Sequence, residues 1–101
     1  MLFMQISKHS PESCPLNSEK AMKASKNLAA NLNTLTKKHG LKLAGAWHDG
    51  ANHRFIMLWD GNFDALMKLS MEPEMLTWGA LHNNEVFPVM TFEESARLFL
   101  K

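Results

Sequence analysis

The stretch LKLAGAWHDGANHRFIMLWD, residues 41–60, decides the fold. Two runs rich in apolar and aromatic residues, 41–47 and 53–60, are separated by His48-Asp49-Gly50-Ala51-Asn52. Asp-Gly between two runs of this kind is a strong signal for a β-hairpin. We therefore predict that these runs are the second and third strands of the protein and that they pair antiparallel.

A long amphipathic helix is predicted before the hairpin, over residues 18–38. Its apolar residues recur at spacings of three and four and form one stripe: Ala21, Ala24, Leu28, Leu32 and Leu35. Asn17 is the predicted N-cap, and Gly40 supplies the left-handed residue after the helix ends. Residues 2–7, ahead of a loop with two prolines, are the predicted first strand.

A second helix is predicted after the hairpin, opening at Gly61 and Asn62. Its inward-facing residues are predicted to be Phe63, Leu66 and Leu69. The helix should end or bend near Pro73, because proline disfavours helix at the residue before it. Residues 74–80 are predicted to form a short turn.

The fourth strand is predicted over residues 84–90, where Pro88 favours an edge position. Thr91-Phe92-Glu93-Glu94 reads as a capping box that starts a last helix. The order β-α-β-β-α-β-α forms two split β-α-β units, which predicts the sheet order 4-1-3-2. We predict one α+β domain over residues 1–101, with a four-stranded antiparallel sheet, helices on one face and a C-terminal helix.

Composition argues against several functional classes. Charged residues make up 21% of the 101 residues and the net charge is +1, so no basic surface for nucleic acid or an anionic membrane is expected. The single cysteine, Cys14, excludes an intrachain disulfide and fits a reducing compartment. The chain also lacks a signal-peptide pattern and an apolar run of roughly 20 residues. A cytoplasmic location without membrane contact is therefore expected.

The predicted strands have no polar face. An antiparallel sheet with one wet face should alternate apolar and polar residues, and the first, third and fourth strands do not. Since the helices cover one face, the other face needs a second copy of the chain, a ligand cavity, or both. We expect a homodimer that buries at least about 1,000 Å² around one set of residues: Met4, Ile56, Leu58, Phe87 and Val89.

Two motifs carry a resemblance to a known superfamily. They are His9-Ser10-Pro11-Glu12-Ser13-Cys14-Pro15 after the first strand and Pro88-Val89-Met90-Thr91-Phe92-Glu93-Glu94 near the end. With the order of elements, they make the chain similar to small members of the ferredoxin-like dimeric α/β-barrel superfamily, among the muconolactone-isomerase-like and antibiotic-monooxygenase-like proteins. The resemblance implies a homodimeric barrel and a small, mostly apolar or aromatic ligand. Members include cofactor-free isomerases and oxygenases, haem binders and proteins without known activity. The resemblance therefore implies no shared set of catalytic residues.

The topology predicts where a site would lie. With the first strand pointing up, the loop after it, the hairpin and the start of the fourth strand all meet at the upper rim. These segments hold four of the five histidines, whereas His39 lies at the other end. Loops on a rigid scaffold are where binding residues concentrate. The rim residues of interest are His9, Glu12, Cys14, His48, Asp49, His53, Trp78 and His82.

Three rim residues are candidates for catalysis. His9 and Glu12 are the expected acid/base pair. Cys14 stands near the start of the first helix, where the dipole would favour a thiolate nucleophile with His9 as its base. The alternative for Cys14 is a small residue packed under a rigid loop.

The remaining candidates are expected to bind a ligand. They are His48, His53, Trp78 and His82, with solvated turn residues and core packing as the alternatives. No phosphate-binding loop, nucleotide fingerprint, Cys-x-x-Cys pair or Ser-His-Asp signature is present. Three hypotheses stay open: a small-molecule-binding homodimer acting as a cofactor-free isomerase or oxygenase, a non-catalytic binding module, and a metal-binding protein using rim histidines and Cys14. No metal ligand and no cofactor is assigned.

Overall fold

A computed structural model describes residues 1–100 of the chain. The loops contain two short 3-10 turns, Pro11–Ser13 and Gly50–Asn52. The strands and helices follow in chain order: β1 Leu2–Lys8, α1 Glu19–Lys38, β2 Lys42–Asp49, β3 Arg54–Asp60, α2 Phe63–Ser70, α3 Pro73–Gly79, β4 Asn83–Val89 and α4 Phe92–Phe99.

The four strands form one antiparallel sheet in the order β2-β3-β1-β4, which confirms the predicted order and the α+β fold class. Met4 in the central strand β1 lies opposite Leu58 on one side and Phe87 on the other. Pro88 lies in the edge strand β4, the kind of position in which a sheet tolerates proline.

The start of α1 differs from the prediction by one residue. Ser18 is the N-cap, and its hydroxyl accepts a hydrogen bond from the Ala21 N–H at 3.2 Å. The Asn17 side chain lies one residue before the cap, and its amide donates to the Pro11 carbonyl at 3.0 Å. Gly40 has a φ of 67°, which confirms the predicted left-handed residue after the helix.

The segment after β3 contains two helices. Asn62 caps α2 by accepting a hydrogen bond from the Ala65 N–H at 2.7 Å. Residues 74–80, predicted to be a turn, lie mostly within α3, because Pro73 stands at the first helical position, where its fixed φ starts a helix. Leu66 is buried as predicted. The prediction that Phe63 faces inward is wrong, because its side chain is half exposed.

The core lies between the helices and one face of the sheet. The sheet contributes Phe3, Met57 and Trp59, and α3 contributes Trp78. A chain of hydrogen bonds crosses the same face: Trp59 Nε1 donates to Gln5 Oε1, Gln5 Nε2 to Ser7 Oγ, and Ser7 Oγ to Asn84 Oδ1. Apolar patterning could not predict this chain, because Gln5 and Ser7 are polar residues that are nevertheless buried.

The second face of the sheet is apolar and is not covered by residues 1–100. Ile56 and Leu58 are only half-buried there, and Phe87 is exposed. The Trp47 ring approaches Gly45 so closely that a Cβ on that glycine would meet the ring at 2.3 Å. The set that the sequence predicted to be covered by a second copy therefore lies on this open face.

The last helix, α4, begins where it was predicted. The Thr91 hydroxyl accepts a hydrogen bond from the Glu94 N–H at 3.1 Å. No residue of α4 is buried in the described chain, and Phe92 and Phe99 are 81% and 75% exposed. Among residues 1–100, no helix is both long and apolar enough to cross a membrane.

Candidate functional site

The loop after β1 curls back on itself at the rim. The Ser10 hydroxyl accepts a hydrogen bond from the Ser13 N–H, and the Cys14 N–H donates to the Pro11 carbonyl, both at 3.3 Å. These bonds form the 3-10 turn that returns the chain toward His9. The Pro-Glu-Ser sequence favours such a turn because proline fixes φ at its first position.

Cys14 joins this loop to α1. Its carbonyl accepts the N–H groups of Asn17 and Ser18, at 2.8 and 2.9 Å. The residue is 2% exposed, so its thiol faces the protein interior rather than solvent. The backbone on both sides of the thiol is therefore fixed by hydrogen bonds.

His53 ends the hairpin turn in an unusual backbone conformation. With φ 52° and ψ 52°, it is the one non-glycine residue in the range 1–100 with a positive φ. Histidine visits this left-handed region more often than most residues, at a cost in energy. The predicted third strand included His53, but the residue belongs to the turn, and β3 begins at Arg54.

Asp49 stabilises the base of the hairpin through hydrogen bonds. Its carboxylate accepts hydrogen bonds from Asn52 Nδ2 at 2.8 Å and from Arg54 Nε at 2.9 Å. The hydrogen bond from Asn52, followed by that from Arg54, lowers the pKa of Asp49 below its ordinary value. This rim residue therefore holds the backbone that carries His48 and His53.

Three segments bring four histidines together: the loop after β1, the hairpin and the connection between α3 and β4. The His9 ring is buried, and its centroid lies 5.1 Å from that of His82, 5.7 Å from that of His53 and 6.3 Å from that of His48. The His9 N–H also donates to the His53 carbonyl at 2.9 Å, which ties the two segments directly. Sidechain ligand atoms of His9, Cys14 and His53 all lie within 4.8 Å of one another.

Electrostatics favour the neutral imidazole at His9 and at His82. Burial lowers the pKa of His9, and the neighbouring His82, His53 and His48 lower it further. Burial also lowers the pKa of His82, against the opposing effect of its hydrogen bond to the Trp78 carbonyl. Because a carbonyl only accepts, His82 Nδ1 carries the proton in that 2.8 Å bond and the neutral ring leaves Nε2 unprotonated.

An apolar pocket of about 300 Å³ adjoins the cluster, between α1 and the sheet. His48 stacks on Phe55 with ring centroids 4.2 Å apart, and Trp78 meets the same phenylalanine edge-on at 5.4 Å. This aromatic wall separates the pocket from His9. The lining residues come from four elements: Ser25, Leu28, Ala29, Leu32, Ala46, Trp47, His48, Phe55, Met57 and Trp78.

The structure unites most of the residues predicted for the site but not all of them. His9, Cys14, His48, His53, Trp78 and His82 share this end of the domain. Glu12 is exposed on the 3-10 turn, and no hydrogen bond or ion pair in residues 1–100 joins it to His9. Phe55, which separates pocket from cluster, was missed, although alternation with Met57 and Trp59 places it on the core side of β3.

Comparison with known proteins places the chain in a family. Residues 1–101 match the family model described as "Domain of unknown function (DUF3303)", and the chain belongs to that family. A solved structure, protein Atu4242 from Agrobacterium tumefaciens, is similar with a TM-score of 0.53 and 14% identity, over 91% of this chain and 96% of that one. At this identity the likeness shows the fold alone. No curated protein matches the sequence significantly.

Proposed function

We propose that this member of the DUF3303 family is a homodimer of the dimeric α/β-barrel type that binds a small, mostly apolar or aromatic molecule. The observation that carries the proposal is the 300 Å³ pocket between α1 and the sheet, walled by aromatic rings and with the imidazole of His48 at its edge. Ligand sites are typically apolar pockets of roughly this size or larger with a few polar groups.

The lining favours a flat ligand of one or two rings. The aromatic rings of Phe55 and Trp78 belong to the lining, where a planar molecule can pack against them, and Leu28 and Leu32 close the side formed by α1. His48 is the titratable group of the lining and can donate or accept one hydrogen bond. One polar group on an otherwise apolar molecule fits this arrangement.

The open face of the sheet supports the homodimer. Large exposed apolar patches mark interaction sites, and this face presents Ile56, Leu58 and Phe87 without cover from residues 1–100. The apolar residues of α4, including Phe92 and Phe99, are equally uncovered. A second copy seated on this face would bury the apolar side of all four strands.

An isomerase or oxygenase and a non-catalytic binding module would use the same pocket. The two alternatives differ in the role of His48, the titratable group of the lining. In an enzyme, His48 would exchange a proton with the bound substrate. The variant His48→Gln keeps a hydrogen-bonding side chain. It should abolish turnover of a substrate while retaining the binding of an unreactive aromatic probe.

The pocket is tested with 8-anilinonaphthalene-1-sulfonate, whose fluorescence rises in apolar sites. Ala29 lines the pocket, so Ala29→Trp should fill it and weaken binding of the probe by about tenfold or more, which is about 1.4 kcal/mol. The matched control is Ala30→Trp, on the next residue of α1, which is exposed and outside the lining. Equal affinity of the two variants would overturn the proposal.

A further inference from the structure

His9 is a buried histidine whose ring makes no hydrogen bond within residues 1–100. The residue is 8% exposed, and neither ring nitrogen has a hydrogen-bond partner in the described chain. A neutral imidazole carries one donor and one acceptor, and nearly all buried polar groups in native proteins are partnered. An orphaned ring at the meeting point of two loops therefore calls for a partner that a polypeptide alone does not supply.

The neighbours of His9 share the same property. His53 Nδ1 and His82 Nε2 are also buried nitrogen atoms without partners in residues 1–100. Cys14 adds a buried thiol to the group. A single water could bond one ring nitrogen, but it does not explain why unpartnered ring nitrogens and a buried thiol converge from three segments of chain.

We propose that His9, Cys14 and His53 form a binding site for one transition-metal ion of the zinc type. Imidazole and thiolate are the ligands that Zn²⁺, Co²⁺ and copper ions prefer, whereas Mg²⁺ and Ca²⁺ require oxygen. Ligand atoms around a tetrahedral zinc ion lie roughly 3.3–3.6 Å apart, from bond lengths of about 2.0–2.3 Å. The three ligand atoms lie within 4.8 Å, so small side-chain rotations close the site.

The backbone holds two of the proposed ligands in place. The 2.9 Å hydrogen bond from the His9 N–H to the His53 carbonyl keeps the two imidazoles adjacent. The left-handed conformation of His53 concentrates backbone strain at a proposed ligand, and such strain gathers at functional sites. Three protein ligands leave a fourth position for water or another donor, and His82 lies beside His9.

The proposed metal site is separate from the proposed ligand pocket, because the aromatic wall of Phe55, His48 and Trp78 lies between the two sites. Either proposal can therefore fail while the other stands.

The test is a Co²⁺ titration of full-length protein freed of metal by a chelator. We expect one Co²⁺ per chain, a thiolate-to-cobalt charge-transfer band in the near ultraviolet, the visible bands of a tetrahedral ion, and displacement of Co²⁺ by Zn²⁺. Cys14→Ser should lose the charge-transfer band. His53→Asn, which keeps a residue that tolerates positive φ, should bind at least about 100-fold more weakly, since even residues behind the ligands contribute 10–100-fold.

Controls and a second readout separate the site from surface binding. His39→Asn removes the histidine at the opposite end of the domain and should bind Co²⁺ as the wild type does. His9→Phe keeps the aromatic packing and should abolish binding. The wild type should show a higher Tm with Zn²⁺ than without it, because the ion binds only the native state. No charge-transfer band in the wild type, or no rise in its Tm, would overturn the metal site whatever the variants do.

Discussion

At the scale of single residues, Ser7 occupies the centre of the buried polar chain on the core face of the sheet. It is fully buried, accepts from Gln5 Nε2 at 3.0 Å and donates to Asn84 Oδ1 at 2.6 Å. Ser7→Ala leaves the buried Gln5 Nε2 without its hydrogen-bond acceptor and should lower the free energy of unfolding by about 1–3 kcal/mol. Urea unfolding followed by circular dichroism measures the change.

Ser25 provides a matched control for this prediction. Its hydroxyl oxygen is also buried, but it has no hydrogen-bond partner in residues 1–100. Ser25→Ala should therefore leave the free energy of unfolding unchanged or raise it slightly, because an unpaired polar atom is removed. Equal losses in the two variants would contradict the role given to the polar chain.

The sequence could predict which residues meet at the rim but not how each is bonded. His9, Cys14, His48 and His53 meet because strand direction follows from the order of elements, which local patterns reveal. The unpartnered nitrogens of His9 follow from side-chain packing, and no local pattern encodes that. Glu12 shows the limit, since proximity in sequence suggested a pair that the turn does not form.

At the scale of elements, Glu72 connects the end of α1 to the start of α3. One carboxylate oxygen accepts from Lys38 Nζ at 2.7 Å and lies 2.8 Å from His39 Nε2. The hydrogen bond from Lys38, followed by that from His39, lowers the pKa of Glu72 in the folded protein. A lowered folded-state pKa means that this contact stabilises above the unfolded-state value near 4.5 and is lost as the pH falls through the folded-state pKa.

Glu72→Gln tests this connection. The variant should have a lower Tm than the wild type at neutral pH, and the difference should shrink as the pH falls below about 4.5. Glu12→Gln, on an exposed turn, should follow the wild type at every pH. A difference between wild type and Glu72→Gln that stays constant down to strongly acid pH would refute the ion pair as its cause.

Elements that carry a local sequence signal were predictable, whereas elements that depend on tertiary packing were not. Asp-Gly defined the β2–β3 hairpin, and the capping box defined the start of α4. The helix α3 was missed because Pro73 can end one helix or begin the next, and packing of Trp78 in the core favours the second. The N-cap of α1 is Ser18 rather than Asn17, whose amide bonds the preceding loop, and both residue types suit a cap.

At the scale of the whole molecule, the uncovered sheet face predicts a dimer. Ile56 stands in β3 opposite Ile6 of β1 and Trp47 of β2, near the centre of that face. Ile56→Lys would bury a charge in the proposed interface and should give a monomer in sedimentation at micromolar concentration, whereas we expect a dimer for the wild type. Ala30→Lys, on the exposed side of α1, should remain dimeric. A monomeric wild type would contradict the assembly.

The occupancy of the pocket is tested most directly by NMR of the histidine imidazoles while 8-anilinonaphthalene-1-sulfonate is added. His48 lines the pocket, whereas His39 lies at the opposite end of the domain beside Glu72. The account predicts that the His48 resonances shift and saturate at one probe per chain while those of His39 stay in place. A His48 signal that does not move, or moves no more than that of His39, would contradict a ligand site between α1 and the sheet.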